Sequence, residues 1–302
     1  SQFAFLNSQY ALGVNYTPWM RELVNDVFLG GVSFANRIND RSAWASSIKY
    51  FTFGEIQLTD WSGNPVGVEK PNEFSIDGTY ALKLSEYYSM GVTMRYIRSD
   101  FALKSTDDLL NTVNTFAVDI SGYYQSEEQN YGDFNGRWRG GFAIQNLGPK
   151  FKYDEGAQDN FQPTNLRVGA GFDFIFDQYN KLAVTAEVSK LLVPTPPVYG
   201  TEREFTDNNG NGVYDEDTDD LGAVVNSNVI IEGQDPDVSF ISGIFQSFGD
   251  APGGFSEELK EFTYALGAEY LYQESFAFRA GYFKKVERTI GVRGISKSIC
   301  SQ

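Results

Sequence analysis

At least seven stretches of this chain share one pattern: about ten residues, apolar at every second position and polar or very small in between. Leu166, Val168, Ala170, Phe172, Phe174 and Phe176 alternate with Arg167, Gly169, Gly171 and Asp173. Phe262, Tyr264, Leu266, Ala268, Tyr270 and Tyr272 alternate with Thr263, Ala265, Gly267 and Glu269. Successive side chains of a strand point to opposite faces, so each segment makes a strand with one greasy and one wet face. Strands of globular proteins are usually about five or six residues long, whereas a tilted strand needs about 9–11 to cross a bilayer. The pattern predicts an all-β fold, a transmembrane antiparallel up-and-down β-barrel whose apolar face meets lipid and whose polar face lines a lumen.

Strand candidates fall at residues 9–16, 27–36, 43–56, 73–84, 88–100, 112–125, 136–147, 164–177, 180–192, 258–272 and 275–286. Turn signals separate them at Asn39-Asp40, Trp61 to Pro65, Ser85-Glu86, Gln178 to Asn180 and Gln273-Glu274. Tight connections alternate with long ones, as in outer-membrane barrels with short turns at one end and longer loops at the other. The facing assignments agree from strand to strand. Asp77, Arg95, Asp119, Arg139, Arg167, Asp173, Glu187, Glu269 and Arg279 all fall on the polar side. An arginine at the lipid midplane costs about 2–4 kcal/mol, so these charges are expected to pair with one another in the interior. Eleven candidates make an odd number where single-chain bacterial barrels use even ones. Closing strands are therefore expected to be missing or altered at both ends. The opening residues carry no basic start followed by an apolar run, and the chain reads as a processed or partial one.

Composition narrows the function classes. A formal charge of -16 argues against nucleic acid, whose binding rests on a basic surface. There is no histidine, which removes Ser-His-Asp and Cys-His catalysis, His-ligated zinc and His general bases together. The reading is of a protein that is not an enzyme. The single Cys300 excludes an internal disulfide framework. No run approaches the 18 or more apolar residues of a transmembrane helix.

Several phrases go beyond periodicity and occur in order. They are Tyr16-Thr17-Pro18-Trp19, Gly54-Glu55-Ile56-Gln57-Leu58-Thr59-Asp60, Gly63-Asn64 and Pro71-Asn72-Glu73-Phe74. Arg95-Tyr96-Ile97-Arg98-Ser99-Asp100, Asn146-Leu147-Gly148-Pro149-Lys150, Pro163-Thr164-Asn165-Leu166-Arg167 and Thr195-Pro196-Pro197 follow. Over about residues 10 to 285 the set resembles the PorV (LptO) family, proteins of the type IX secretion system in the bacterial outer membrane of Bacteroidota. The resemblance implies a FadL-like barrel of about 14 strands. It implies partners as well: the giant translocon barrel Sov/SprA, cargo proteins recognised by their C-terminal signal domains, and a surface attachment complex. Cargo would pass from the first to the last, with outer-membrane lipid around the barrel and no catalytic residues in this chain. The alternative is a FadL-like outer-membrane carrier of hydrophobic small molecules, which predicts an apolar lumen pocket.

By this reading residues 1–192 form the first part of the barrel, 193–257 a long extracellular loop insertion, and 258–302 the last strands with an atypical tail. Within the insertion, residues 207–217 supply oxygens in the manner of an EF-hand loop. Asp207, Asn209, Asn211 and Asp215 stand at its first, third, fifth and ninth positions, with Val213 giving a backbone carbonyl and Asp217 or Asp219 standing in near the end, where Thr218 takes the twelfth position. Such a loop could hold Ca2+ and stiffen the surface; the same residues also describe an acidic solvated loop of Asx-Gly turns. No other cofactor is required. The apolar run at 238–248, with Val238, Phe240, Ile241, Ile244, Phe245 and Phe248, is a candidate partner contact on an exposed loop. An extra strand or a lumen plug is the competing reading.

Overall fold

A computed structural model describes residues 8–19, 21–22, 25–100, 111–153, 159–211, 214–273, 275–285 and 298–301. Among them the alternating segments become the strands β1 (Tyr10–Pro18), β2 (Val27–Arg37), β3 (Ser42–Phe53), β6 (Asn72–Lys83), β7 (Tyr88–Asp100) and β8 (Val113–Gln125). They continue as β10 (Asn135–Leu147), β11 (Asn165–Ile175), β12 (Asn180–Leu191), β15 (Phe262–Tyr272) and β16 (Phe276–Lys285). The eleven lie side by side in chain order in one antiparallel sheet, with the short β9 (Gln129–Asn130) paired to β10. This is the up-and-down order of a β-barrel. No helix among the described residues is long and apolar enough to cross a membrane.

The hydrophobic effect is turned inside out on this sheet. Val14, Val32, Ile48, Ile76, Val92 and Met94 are exposed, while Asp77, Ser89, Ser99, Thr115 and Asp119 are buried. In water such a face would be an aggregation surface; against lipid it is the expected outer wall. Aromatic residues stand at both ends of the apolar face, six positions apart in each of four neighbouring strands: Tyr10 and Tyr16, Phe34 and Phe28, Trp44 and Tyr50, Tyr80 and Phe74. Six residues span about 20 Å along a strand, comparable with the apolar band of about 25 Å of outer-membrane barrels. One row is nearly continuous. Tyr16 and Phe28 lie 5.2 Å apart between ring centres, Phe28 and Tyr50 6.0 Å, Phe74 and Tyr96 5.9 Å, and Tyr96 and Phe116 5.4 Å.

Turn chemistry fixes the short-turn end. Asn39 Oδ1 accepts from the backbone N–H of Arg41 and Ser42, both at 2.9 Å. Asp177 Oδ1 accepts from Tyr179 and Asn180 at 2.6 and 2.8 Å. These side-chain turns close the chain where the strands stop, as short polar residues do in tight connections. At the other end the connections are long. The one between β3 and β6 holds its own hairpin, β4 (Ile56–Thr59) and β5 (Pro65–Glu69).

Two compact units divide the chain: residues 1–189 with 264–283, and residues 190–263 with 284–302. The second contains β13 (Val198–Thr206) paired with β14 (Asp220–Glu232), and β17 (Ser298–Ser301) lies parallel to β13. It also holds the helices α1 (Phe240–Gln246) and α2 (Phe255–Glu258) and a 3-10 turn at Leu259–Glu261.

Three readings of the sequence are corrected at the level of elements. The strand expected over 43–56 stops at Phe53, because Gly54 takes φ +79° and starts a separate hairpin. The strand expected over 258–272 starts only at Phe262, after helix and 3-10 turn. The apolar run at 238–248 is not a strand: its centre forms the short helix α1, capped by Ser239, whose hydroxyl accepts from Ser242 N at 3.2 Å. The tail 286–297 and Val213 lie outside the described residues.

Candidate functional site

The polar face of the first unit is a wall of ion pairs. Arg95 on β7 donates to Asp77 on β6 at 2.5 Å and to Asp119 on β8 at 2.8 Å. Ser47 adds a hydrogen bond to Asp77 at 2.6 Å, and Thr79 and Thr93 share one across β6 and β7 at 2.8 Å. Further round, Arg139 pairs with Asp173 at 2.6 Å, Arg167 with Glu187 at 2.9 Å, and Arg279 with Glu269. All nine charges that the alternation places on one side are joined in pairs or in the triad. The cause is geometric. Cross-strand neighbours on one face of a sheet stand about 4.5–5.5 Å apart, and a charge removed from water is stable only with a partner.

Several cavities lie along this face, two of them within the usual size range of ligand pockets. One of about 460 Å³ is bordered by Ser33, Ser47, Asp77, Thr93, Arg95 and Gln145. The other, about 530 Å³, has Tyr123, Arg139, Arg167, Thr185 and Glu187 in its wall. Both have charged side chains in their lining, which a purely hydrophobic ligand would have to desolvate.

Above the aromatic row, the β4–β5 hairpin ends in a built turn. Asp60 Oδ1 accepts from Ser62 N and Asn64 N, both at 2.8 Å, and its other oxygen takes Asn64 Nδ2 at 3.0 Å. The Asn64 side chain and the backbone N–H donors hold the Asp60 carboxyl below its ordinary pKa. Trp61 at the tip is fully exposed.

The second unit is organised around a buried lysine that the sequence reading did not single out. Lys190 has no exposed side-chain surface, and its Nζ lies 2.6 Å from both Glu258 Oε1 and Glu261 Oε2. Thr195 donates its hydroxyl to Glu261 at 2.7 Å and its backbone N–H to Asp250 Oδ2 at 2.7 Å. The rings of Phe262 and Phe248 lie 5.2 and 5.9 Å from the ammonium. Asp250, Glu258 and Glu261 bring oxygens within 4.8 Å of one another, a spacing that a metal ion could use; here the Lys190 ammonium is the cation between the two glutamates. Burial raises the Asp250 pKa, Thr195 opposes that shift, and the nearby Glu261 and Glu258 charges add to it. The pairs are 68 and 71 residues apart in sequence, so no local signal reveals them.

Two sequence-predicted sites lie in this unit. In the 207–217 loop, Asp207 Oδ1 accepts from Gly210 N at 2.6 Å, and Asn209 binds Asn211 N at 3.0 Å and Thr218 Oγ1 at 2.9 Å. Asp215 accepts from Asp217 N at 3.4 Å. The hub is Asp219, the alternative to Asp217 at the end of the loop, which takes Asn208 N at 3.0 Å and Asp215 N at 2.9 Å. Among the described residues the loop carboxylates do not gather into a cluster of three. On α1 and just after it, Ile241, Phe245 and Phe248 are exposed, while Val238, Phe240 and Ile244 are half-buried.

A family model described as "Type IX secretion system protein PorV" matches residues 1–198. No curated protein matches the chain.

Proposed function

This chain belongs to the PorV family of type IX secretion system proteins, and on that premise we propose that it sits in the outer membrane and handles secreted proteins. It binds the giant translocon barrel, accepts cargo through the C-terminal signal domain, and passes it to the surface attachment complex. The observation that carries the membrane part is the inverted sheet: exposed apolar side chains and aromatic rows on one face, paired charges on the other. No step in this role needs covalent chemistry from the chain. Contact with a protein partner is assigned to the exposed apolar side chains Ile241, Phe245 and Phe248, with Val238, Phe240 and Ile244 beneath them. Calcium is assigned to the oxygens of Asp207, Asn209, Asn211, Asp215 and Asp217 with the Val213 carbonyl, where it would stiffen the loop.

The competing reading, a carrier of hydrophobic small molecules, has less support because charged groups stand in both larger cavities of the polar face. A mild-detergent pull-down of the tagged protein from its own membranes tests the choice. Co-purification of a very large barrel with secreted proteins that share a C-terminal domain is the expected result. Recovery alone, with fatty acids in the lumen, would move the assignment to the carrier.

A further inference from the structure

We propose that the two described limbs of the connection between β10 and β11, 148–153 and 159–164, fold inward as a strap that constricts the barrel interior at its long-loop end, so that the interior is not an open route for solutes, whatever the secretion role.

The chain leaves the sheet toward the polar face, at a defined point. The β8–β10 register shifts between Ile144 and Leu147, and Asn146 adopts φ 59°. A non-glycine residue in the left-handed region is strained unless its surroundings hold it there. Here they do. Asn146 N donates to Asp119 at 2.8 Å, its Oδ1 accepts from Arg95, and its Nδ2 reaches Pro163 O at 3.3 Å. Asp119 and Arg95 are polar-face side chains, so the ties pull the chain inward.

Both limbs then rest on the inner wall. Gln162, 3% exposed, donates to Thr115 Oγ1 at 2.6 Å and to Phe116 O at 3.0 Å. Thr164 donates to Asn146 O at 2.9 Å. Tyr153 shares a hydrogen bond with Ser99 Oγ at 3.0 Å, and Ser99 in turn donates to Glu73 at 2.7 Å. Thr115, Ser99 and Glu73 occupy the same face as Asp119, Arg95 and Asp77 by strand alternation. The limbs also brace each other: Phe151 and Asn160 exchange two backbone hydrogen bonds, at 2.9 and 2.8 Å, and Lys150 lies 4.3 Å over the Phe161 ring. Gly148 is required because a Cβ there would stand 2.4 Å from Phe116 O. A loop that merely projected into solvent would need none of these contacts.

Two measurements on the full chain, with Cys300→Ser as background, test the strap. In whole cells, Gln162→Cys should react with a membrane-impermeant maleimide at least tenfold more slowly than Asp159→Cys at the exposed part of the same limb. Equal rates would overturn the proposal. In planar bilayers, replacing residues 149–161 by a short Gly-Ser linker should raise single-channel conductance several-fold over the parent. Unchanged conductance in a variant that keeps the heat-shifted gel migration of a folded barrel would also overturn it.

Discussion

On β6, β7 and β8 the side chains of Asp77, Arg95 and Asp119 are 8%, 14% and 11% exposed. On β11, β12, β15 and β16 those of Arg167, Glu187, Glu269 and Arg279 are 48%, 37%, 37% and 72% exposed. Both groups lie on the polar face, both came from the same alternation, and both are ion-paired. What separates them is cover. Ser47 and Asn146 add hydrogen bonds around the first, largely buried group, whereas the second stays open to water. Coulomb attraction in a desolvated site is far stronger than at a wetted wall, and so is the penalty for leaving one partner alone. The same residue chemistry thus locks one part of the barrel and only neutralises another.

The largest expected effect is at the centre of the covered group. Arg95→Ala leaves Asp119 without its cation and Asp77 with only the more distant Lys49 at 3.8 Å, and it releases Asn146 from its strained turn. It should cost about 3–5 kcal/mol, measured by chemical unfolding of the protein refolded into lipid vesicles. A loss under about 1 kcal/mol would erase the contrast. Gln162→Ala removes the strap's donor to Thr115 and the Phe116 carbonyl, with an expected loss of about 1–3 kcal/mol.

A third effect sharpens the comparison from the second unit, where the buried charges do not balance. Lys190 faces Glu258 and Glu261, with Asp250 close by. Because the folded Asp250 pKa is raised by burial, the folded state resists an ionisation that the unfolded chain undergoes freely. Stability must therefore fall as pH rises from the ordinary carboxylate range through the raised value. Asp250→Asn keeps an acceptor for Thr195 N and should raise the melting temperature at pH 7, with the gain vanishing toward pH 4. A gain that grows toward acid pH would contradict this.

The smallest effect belongs to the open group. Arg167→Ala should change stability by less than about 1 kcal/mol, as exposed pairs do. The double-mutant cycle with Glu187→Gln measures this directly. A coupling of several kcal/mol would mean that cover is not what distinguishes the two groups.

How much of this was legible in the sequence follows from the range of the forces involved. Every strand of the main sheet except the two-residue β9 was readable, because burial on one face writes a period of two into consecutive residues. That Arg139, Asp173, Arg167 and Glu187 share the polar face was readable because a charge misplaced toward the lipid midplane is costly; which of them pair was not. The hairpin of β13 and β14 was not. Tyr199-Gly200-Thr201-Glu202-Arg203-Glu204 carries little apolar alternation, and the pairing slips register at several points. α1 was missed because seven residues hold too few turns to show a helical period. Asn146-Leu147-Gly148-Pro149 stood out as a phrase, but its inward direction depends on Arg95, 51 residues away. Lys190 looked like any lysine at a strand end, since its partners come from α2 and the following turn.

The central claim is that the sheet is inside out, and adjacent residues on one strand test it most directly. Val92 is exposed on the apolar face, and Thr93 bonds Thr79 on the polar face. Bimane attached at Val92→Cys and, separately, at Thr93→Cys can be read in vesicles containing brominated lipid, with Cys300→Ser as background. The account predicts strong quenching at 92 and little at 93. Equal quenching, or quenching at 93 alone, would contradict it.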